Sequence, residues 1–240
     1  MDFSDWAIIK TYLGFSYRSE FTRVMARLRD AGVEYPENYL AVLLRKYRGR
    51  RIRYPKILQR LGVPNIRKHF AYDRVLANPG SFLDYGCGTA DDIRAIVKDG
   101  FPLASITGYD VNDSSVELGF DFYLDREQLQ PQILISPEFP FGPESFDIVY
   151  SGSVLHVLRS RDRIGHYLEN VFAVLKGSGI LFGSTLGSGH RSRLLPRQAL
   201  FRLNPKELES MLEGLGFKEI EIQTLEQERH ERLWFLARKP

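Results

Sequence analysis

Cysteine is almost absent from this chain: Cys87 is the only one in 240 residues. That excludes an internal disulfide and any zinc or iron–sulfur centre built on several cysteines. It also makes a reducing, cytoplasmic setting the expectation. Long apolar runs are missing too, and no stretch approaches the roughly 20 residues that a membrane span needs. The opening Met1-Asp2-Phe3-Ser4-Asp5 has no basic stretch leading into an apolar one, so a secretory signal is not expected. Internal repeats and low-complexity tracts are lacking as well. Charge is nearly balanced, with 33 Lys and Arg against 30 Asp and Glu. The balance hides an asymmetry: residues 1–80 hold 16 basic and 7 acidic side chains, the remainder 17 and 23. The basic ones crowd into residues 45–60, a run that either tracks the phosphates of a nucleic acid or coats a helical appendage.

What is present is an alternation of strand and helix. From Ser81 onward, apolar runs at 81–85, 105–110, 132–136, 146–151 and 178–184 read as buried strands. Helical periodicity falls at about 90–99, 113–125, 160–176 and 204–215, the last opened by Asn204-Pro205 as cap and first turn. Two further strands, roughly 217–225 and 232–238, close the chain. This order predicts a parallel sheet with helices on both faces. Before it, residues 1–64 carry helix-like spacing and few strand signals. Phe21, Val24, Met25 and Leu28 share one face, and Tyr39 to Leu44 and Ile57 to Leu61 form two more short segments. The expected division is a helical cap at 1–64 and an α/β domain at 65–240.

The most informative residues are Phe82-Leu83-Asp84-Tyr85-Gly86-Cys87-Gly88. An apolar run breaking into Gly-x-Gly reads as a buried strand, a tight turn and a helix start, where a ligand can approach the backbone closely. The next strand ends in Asp110, about 20 residues on, as a ribose-binding carboxylate would. A dinucleotide fingerprint wants a third glycine at position 91, where this chain has Asp91. Asp84 would also oppose a pyrophosphate, whereas it suits a cationic ligand.

On these residues the sequence resembles the class I S-adenosylmethionine-dependent methyltransferases, whose first motif runs apolar-Asp-x-Gly-x-Gly. The resemblance covers roughly residues 65–240 and implies a Rossmann-like, seven-stranded, mostly parallel sheet closed by an antiparallel hairpin. It implies S-adenosyl-L-methionine as cofactor, with Gly86, Cys87 and Gly88 against it, Asp84 on its amino group, Asp110 on its ribose and Val111 flanking its adenine. Many relatives place an Asp just after the third strand to meet the adenine amine. Here Ser136 or Glu138 would have to serve. Phe146 to His156 resembles the fourth-strand motif, in which Ser151 and Gly152 would offer backbone contacts near the methyl donor. His156 and His190 are the candidate general bases, and Arg191 or Arg193 would clamp an anionic group.

Absences then narrow the chemistry. No Asn/Asp-Pro-Pro-aromatic sequence is present, which disfavours methylation of exocyclic amines in nucleic acids. The single cysteine belongs to the cofactor turn, which excludes a cysteine-nucleophile mechanism and a radical cluster. No metal is expected. The expected activity is methyl transfer to an O, N or S atom of a small-molecule acceptor. The alternatives are an RNA methyltransferase using the 45–60 segment, and a methyltransferase-like binding protein without turnover, which the unusual 135–141 stretch suggests. A close relative of that last reading keeps the cofactor for a non-methylating reaction.

Overall fold

β-Branched and aromatic residues between turn signals build the centre of the molecule, seen in a computed structural model that describes residues 17–50, 52, 56–188, 193–195, 200–227 and 230–240. The strands are β1 (Phe82–Tyr85), β2 (Ile106–Asp110), β3 (Ile133–Ile135), β4 (Phe146–Gly152), β5 (Leu175–Gly187), β6 (Arg193–Leu195), β7 (Leu200–Arg202), β8 (Lys218–Gln227) and β9 (His230–Arg238). Seven of them form one sheet in the order β3-β2-β1-β4-β5-β9-β8. β3, β2, β1, β4 and β5 are mutually parallel; β9 is antiparallel to β5, and β8 to β9. This is the expected α/β architecture. The order reverses between β1 and β4, which places the ligand crevice of such a sheet outside the carboxyl ends of those strands.

The chain gathers into two units. One holds the described residues up to Pro64, together with Gly88–Asp91 and Asn112–Pro131. Its helices are α1 (Arg18–Asp30), α2 (Tyr39–Lys46) and the single turn α3 (Ile57–Arg60), followed later in the chain by α6 (Asp113–Tyr123) and the short α7 (Arg126–Leu129). The α1 face expected from spacing is buried: Phe21, Val24, Met25 and Leu28 pack with Leu43, Leu58 and Leu61 and with Leu118 and Phe122 of α6. Phe21 meets Phe122 edge-on at 5.1 Å. Three tyrosines reach α6 through their hydroxyls: Tyr35 donates to the Phe122 carbonyl (2.6 Å), Tyr39 to the Asp121 carbonyl (2.9 Å) and Tyr47 to the Asp121 carboxylate (2.7 Å). The aromatic richness of this region thus goes largely into helix packing.

The other unit holds Asn65–Cys87, Asp92–Val111 and Gln132–Pro240. Its helices are α4 (Tyr72–Ala77), most of α5 (Asp91–Lys98), α8 (Arg161–Val174) and α9 (Pro205–Gly214). Leu168 and Val171 of α8 and Leu208 and Leu212 of α9 pack with Leu83, Val149, Leu181 and Phe235 on one face of the sheet. α9 is capped as its sequence predicts, with the Asn204 Oδ1 accepting the Lys206 amide at 2.9 Å.

Two features differ from expectation. β5 runs three residues further at each end, because β9 pairs with it from Ile180 to Gly187 and Leu175 pairs with Phe146. α4 and the β6–β7 pair had no counterpart in the sequence reading. The β3–β4 crossover, residues 136–145, contains no helix, and none was expected there. Instead Phe139 stacks on Tyr85 at 4.7 Å and meets Tyr109 edge-on, and Phe141 leans on Tyr109 and Phe146. The unusual 135–141 stretch is an aromatic plug standing where a crossover helix would cover the sheet.

Candidate active site

Buried Phe82 and Leu83 fix β1 in the core and carry Asp84, itself 2% exposed, to the strand's end. The chain then turns at Gly86, whose φ of +90° suits glycine. A Cβ there would also stand 2.5 Å from Val154 Cγ2. The Gly86 and Cys87 amides both donate to the Tyr109 carbonyl, at 2.7 and 3.1 Å. That pulls the turn across the end of β2, one residue short of Asp110. Two carboxylates therefore stand at the ends of adjacent parallel strands, with the turn between them.

Cys87 registers both. Burial pushes its thiol well above the usual range, and the fields of Asp84 and Asp110 push the same way. The sulfur packs toward Gly108, where an added Cβ would come within 3.3 Å of it. It is a neutral filler. Gly88 has φ of +55° and nothing within 4 Å of where its Cβ would stand. Asp91, the residue in place of a third glycine, accepts hydrogen bonds from the Gly62 amide (2.6 Å) and the Tyr123 hydroxyl (2.5 Å) and pairs with the Thr89 hydroxyl.

Beyond Asp110, Val111 is 57% exposed. Asp110 pairs in register with Ile135, whose side chain is 40% exposed. Ser136 is pinned as a turn residue: its amide donates to the Asp110 carbonyl (3.3 Å), its carbonyl accepts from the Tyr109 hydroxyl (3.1 Å) and its Oγ accepts the Glu138 amide (3.2 Å). Glu138 itself is exposed.

The fourth-strand residues are more committed than their motif suggests. Ser151 is fully buried, its Oγ lies 2.9 Å from the Tyr167 hydroxyl, and that hydroxyl donates to the Tyr85 carbonyl at 3.0 Å. His156 is buried in a single turn after β4. Its Nδ1 accepts the Leu186 amide at 3.4 Å and lies 3.2 Å from the Thr185 hydroxyl. An accepting Nδ1 assigns the ring proton to Nε2 and holds the imidazole in position. His190 and Arg191 lie outside the described residues, and Arg193 is described only as part of β6. In the basic segment, Lys46 pairs with Asp121 at 2.6 Å, Arg50 is exposed, and Arg51 and Arg53 lie outside the described residues. Asp147 stands at the opposite end of β4. Burial there is outweighed by Lys176 (2.8 Å) and Ser81 (2.6 Å), which together bring its carboxyl down to about 2.

Two groups beneath the site escaped the sequence reading. Tyr150, fully buried and in register with Asp84, donates to the Asp92 carboxylate at 3.1 Å. The other Asp92 oxygen accepts the amides of Asn65 (2.6 Å) and Ile66 (2.9 Å). The pair Asp91-Asp92 was the available signal, since two acidic residues opening a helix often cap something.

Residues 83–181 match the family model described as a methyltransferase domain. Over these residues the chain is similar to methyltransferase domains. The chain is 27% identical over 100 residues to an O-methyltransferase of a fungal species, covering 37% of this chain and 33% of that protein. It is 32% identical over 126 residues to a ubiquinone/menaquinone biosynthesis C-methyltransferase of Bordetella parapertussis, covering 52% and 48%. The matches thus span a third to a half of those curated relatives. In fold it resembles the 1,6-didemethyltoxoflavin-N1-methyltransferase of Burkholderia thailandensis, solved with 1,6-didemethyltoxoflavin and S-adenosylhomocysteine. The TM-score is 0.56 at 22% identity, over 69% of this chain and 73% of that one. Among the described residues, no helix is long and apolar enough to cross a membrane.

The donor set fits the cofactor of this class. Two carboxylates at the ends of adjacent strands suit a cationic, diol-bearing ligand, and an exposed apolar Val111 beside them suits a flat base.

Proposed function

We propose that this protein transfers the methyl group of S-adenosylmethionine to a small-molecule acceptor. The observation that carries the reading is the pair Asp84 and Asp110 flanking the Gly86–Cys87 turn at the carboxyl ends of β1 and β2. The cofactor supplies an electrophilic methyl on a sulfonium. Asp84 would hold its ammonium group, Asp110 would accept from the ribose hydroxyls, and Val111 would lie against the adenine. Gly86, Cys87 and Gly88 would let the backbone approach it, and Ser136 and Ser151 would border it through main-chain atoms. The relatives act on oxygen, nitrogen and carbon between them, so the acceptor atom is left open. A nucleophilic acceptor held in line with the methyl needs little acid–base help, which is consistent with an occupied His156 Nδ1.

Calorimetric titration with S-adenosylmethionine and S-adenosylhomocysteine tests this, on the native chain and on Asp110→Ala. Micromolar binding that the substitution abolishes supports the reading. A folded protein that binds neither ligand overturns it.

A further inference from the structure

β1 and β4 run in parallel register through Leu83 with Val149 and Asp84 with Tyr150, and there their pairing ends. Each strand continues only on its outer side. Tyr85 still pairs with Tyr109 of β2, and Ser151 and Gly152 still pair with Gly183 and Ser184 of β5. The parting falls at the reversal of strand order, where the crevice of such a sheet lies. One side chain spans it. Tyr167 of α8 is 4% exposed, and its hydroxyl stands 3.0 Å from the Tyr85 carbonyl and 2.9 Å from Ser151 Oγ.

A carbonyl can only accept, so the phenol gives its one proton to Tyr85 and its oxygen takes the proton of Ser151. Burial pushes the phenol well above its usual range, so that proton stays in place. The ring is held as well: it packs at 4.1 Å against the Tyr85 ring, which is itself stacked on Phe139. The Tyr85 carbonyl and the Gly86 amide belong to one planar peptide group. Tyr167 pins its oxygen, and the Tyr109 carbonyl accepts its N–H at 2.7 Å. With both ends tied, the plane cannot rotate, and the direction in which the chain leaves through Gly86 is set. A phenylalanine would fill the same space at 167. What the hydroxyl adds is the pair of bonds at the two strand ends.

We propose that Tyr167 is a positioning residue for methyl transfer: by pinning the Tyr85–Gly86 peptide, it holds the cofactor turn in its binding shape before any ligand arrives. The inference rests on the methyltransferase reading above. A turn already in shape spares the ligand the cost of ordering it, and that saving appears as affinity. Tyr167 touches no ligand; it acts through the backbone that Asp84 precedes and Cys87 and Gly88 follow.

The test measures amide exchange at Gly86 on the full chain without ligand, then titrates S-adenosylhomocysteine by calorimetry. Tyr167→Phe should speed exchange at Gly86 roughly 10-fold and weaken S-adenosylhomocysteine roughly 10-fold, the size of one hydrogen bond. Val171→Ala, one turn along α8 and fully buried, is the structural control. It should lower the melting temperature at least as far, yet leave exchange at Gly86 and affinity within about 2-fold of the native chain. Ser151→Ala removes the phenol's other partner and should give intermediate values in both measurements. If Tyr167→Phe fails to fold, Ser151→Ala carries the decision, and native values in that variant overturn the proposal. So does unchanged exchange or affinity in Tyr167→Phe, or an equal loss of affinity in Val171→Ala. A native chain that binds no S-adenosylhomocysteine is a different failure, and it falls on the methyltransferase reading. Exchange at Gly86, measured without ligand, then still decides whether Tyr167 pins the turn.

Discussion

The Tyr150 hydroxyl meets the Asp92 carboxylate at 3.1 Å, in the strand register directly beside Asp84. Asp92 thus ties the centre of the sheet to the amides of Asn65 and Ile66, where the α/β unit begins. Tyr150→Phe removes one donor from a carboxylate that keeps two, and should cost about 1–2 kcal/mol. Asp92→Ala orphans both amides and the phenol together, and should cost about 3 kcal/mol or more. Chemical denaturation gives the totals. Amide exchange separates them: protection at 65 and 66 should survive Tyr150→Phe and vanish in Asp92→Ala. Equal exchange in both variants would refute the division of labour.

Gly86→Ala sets two costs on one atom. The residue sits at φ +90°, and the new Cβ would stand 2.5 Å from Val154 Cγ2. Strain and overpacking together should destabilise by about 2–4 kcal/mol. Val154→Ala in the same chain relieves the contact but not the backbone, so the double variant should recover about half of that loss. Simple additivity of the two substitutions would mean the loop moves freely, contrary to its double anchor on the Tyr109 carbonyl.

The parts of this fold that were legible in the sequence are those where one signal sufficed. Phe82-Leu83-Asp84 followed by glycines marks a strand end and a turn whatever surrounds it, and Asn204-Pro205 caps a helix locally. Arg232 was not legible, because an arginine in a terminal strand reads as an ordinary solvent-facing position. Only the order β4-β5-β9 buries it against Ser153 and Ser184. The packing of the 136–145 crossover was hidden for a related reason: a Phe-Pro-Phe stretch has no periodicity, and its partners Tyr85 and Tyr109 come from other strands. α6 carries a clear helical pattern, but nothing in that pattern says that Leu118 and Phe122 pack with α1.

His156 was expected to be a candidate base, and its geometry predicts a different phenotype. Its Nδ1 serves the Leu186 amide and the fully buried Thr185 hydroxyl. His156→Ala should lower stability by about 1–3 kcal/mol by orphaning both, and His156→Asn, whose Oδ1 can take the place of Nδ1, should recover part of it. S-adenosylhomocysteine affinity should not change in either. Thermal melts and the same titration decide it. Undiminished stability in the alanine variant would return the imidazole to the role of proton acceptor.

His69 should make this protein acid-sensitive. It is 3% exposed, its Nε2 lies 3.0 Å from the Phe235 carbonyl, and its Nδ1 accepts the Ala71 amide at 3.0 Å. Burial brings its imidazole down from 6.5 to about 4, against the opposing pull of the Phe235 and Gly183 carbonyls. The neutral ring is satisfied at both nitrogens, whereas a second proton on Nδ1 would collide with the Ala71 N–H. Between pH 6.5 and 4 the unfolded chain therefore binds a proton that the folded chain refuses. Stability from this group is full above pH 6.5 and is lost progressively as pH falls toward 4, by about 2 kcal/mol at pH 5 and about 3 kcal/mol in all. Urea denaturation of the native chain and of His69→Gln at pH 7 and pH 5 isolates the effect from carboxylates that titrate in both. The variant should start less stable at pH 7, because glutamine fits the ring's two contacts imperfectly, and should lose about 2 kcal/mol less between the two pH values. Parallel losses in the two proteins would show that His69 titrates normally in the folded state and that its burial is relieved by local opening.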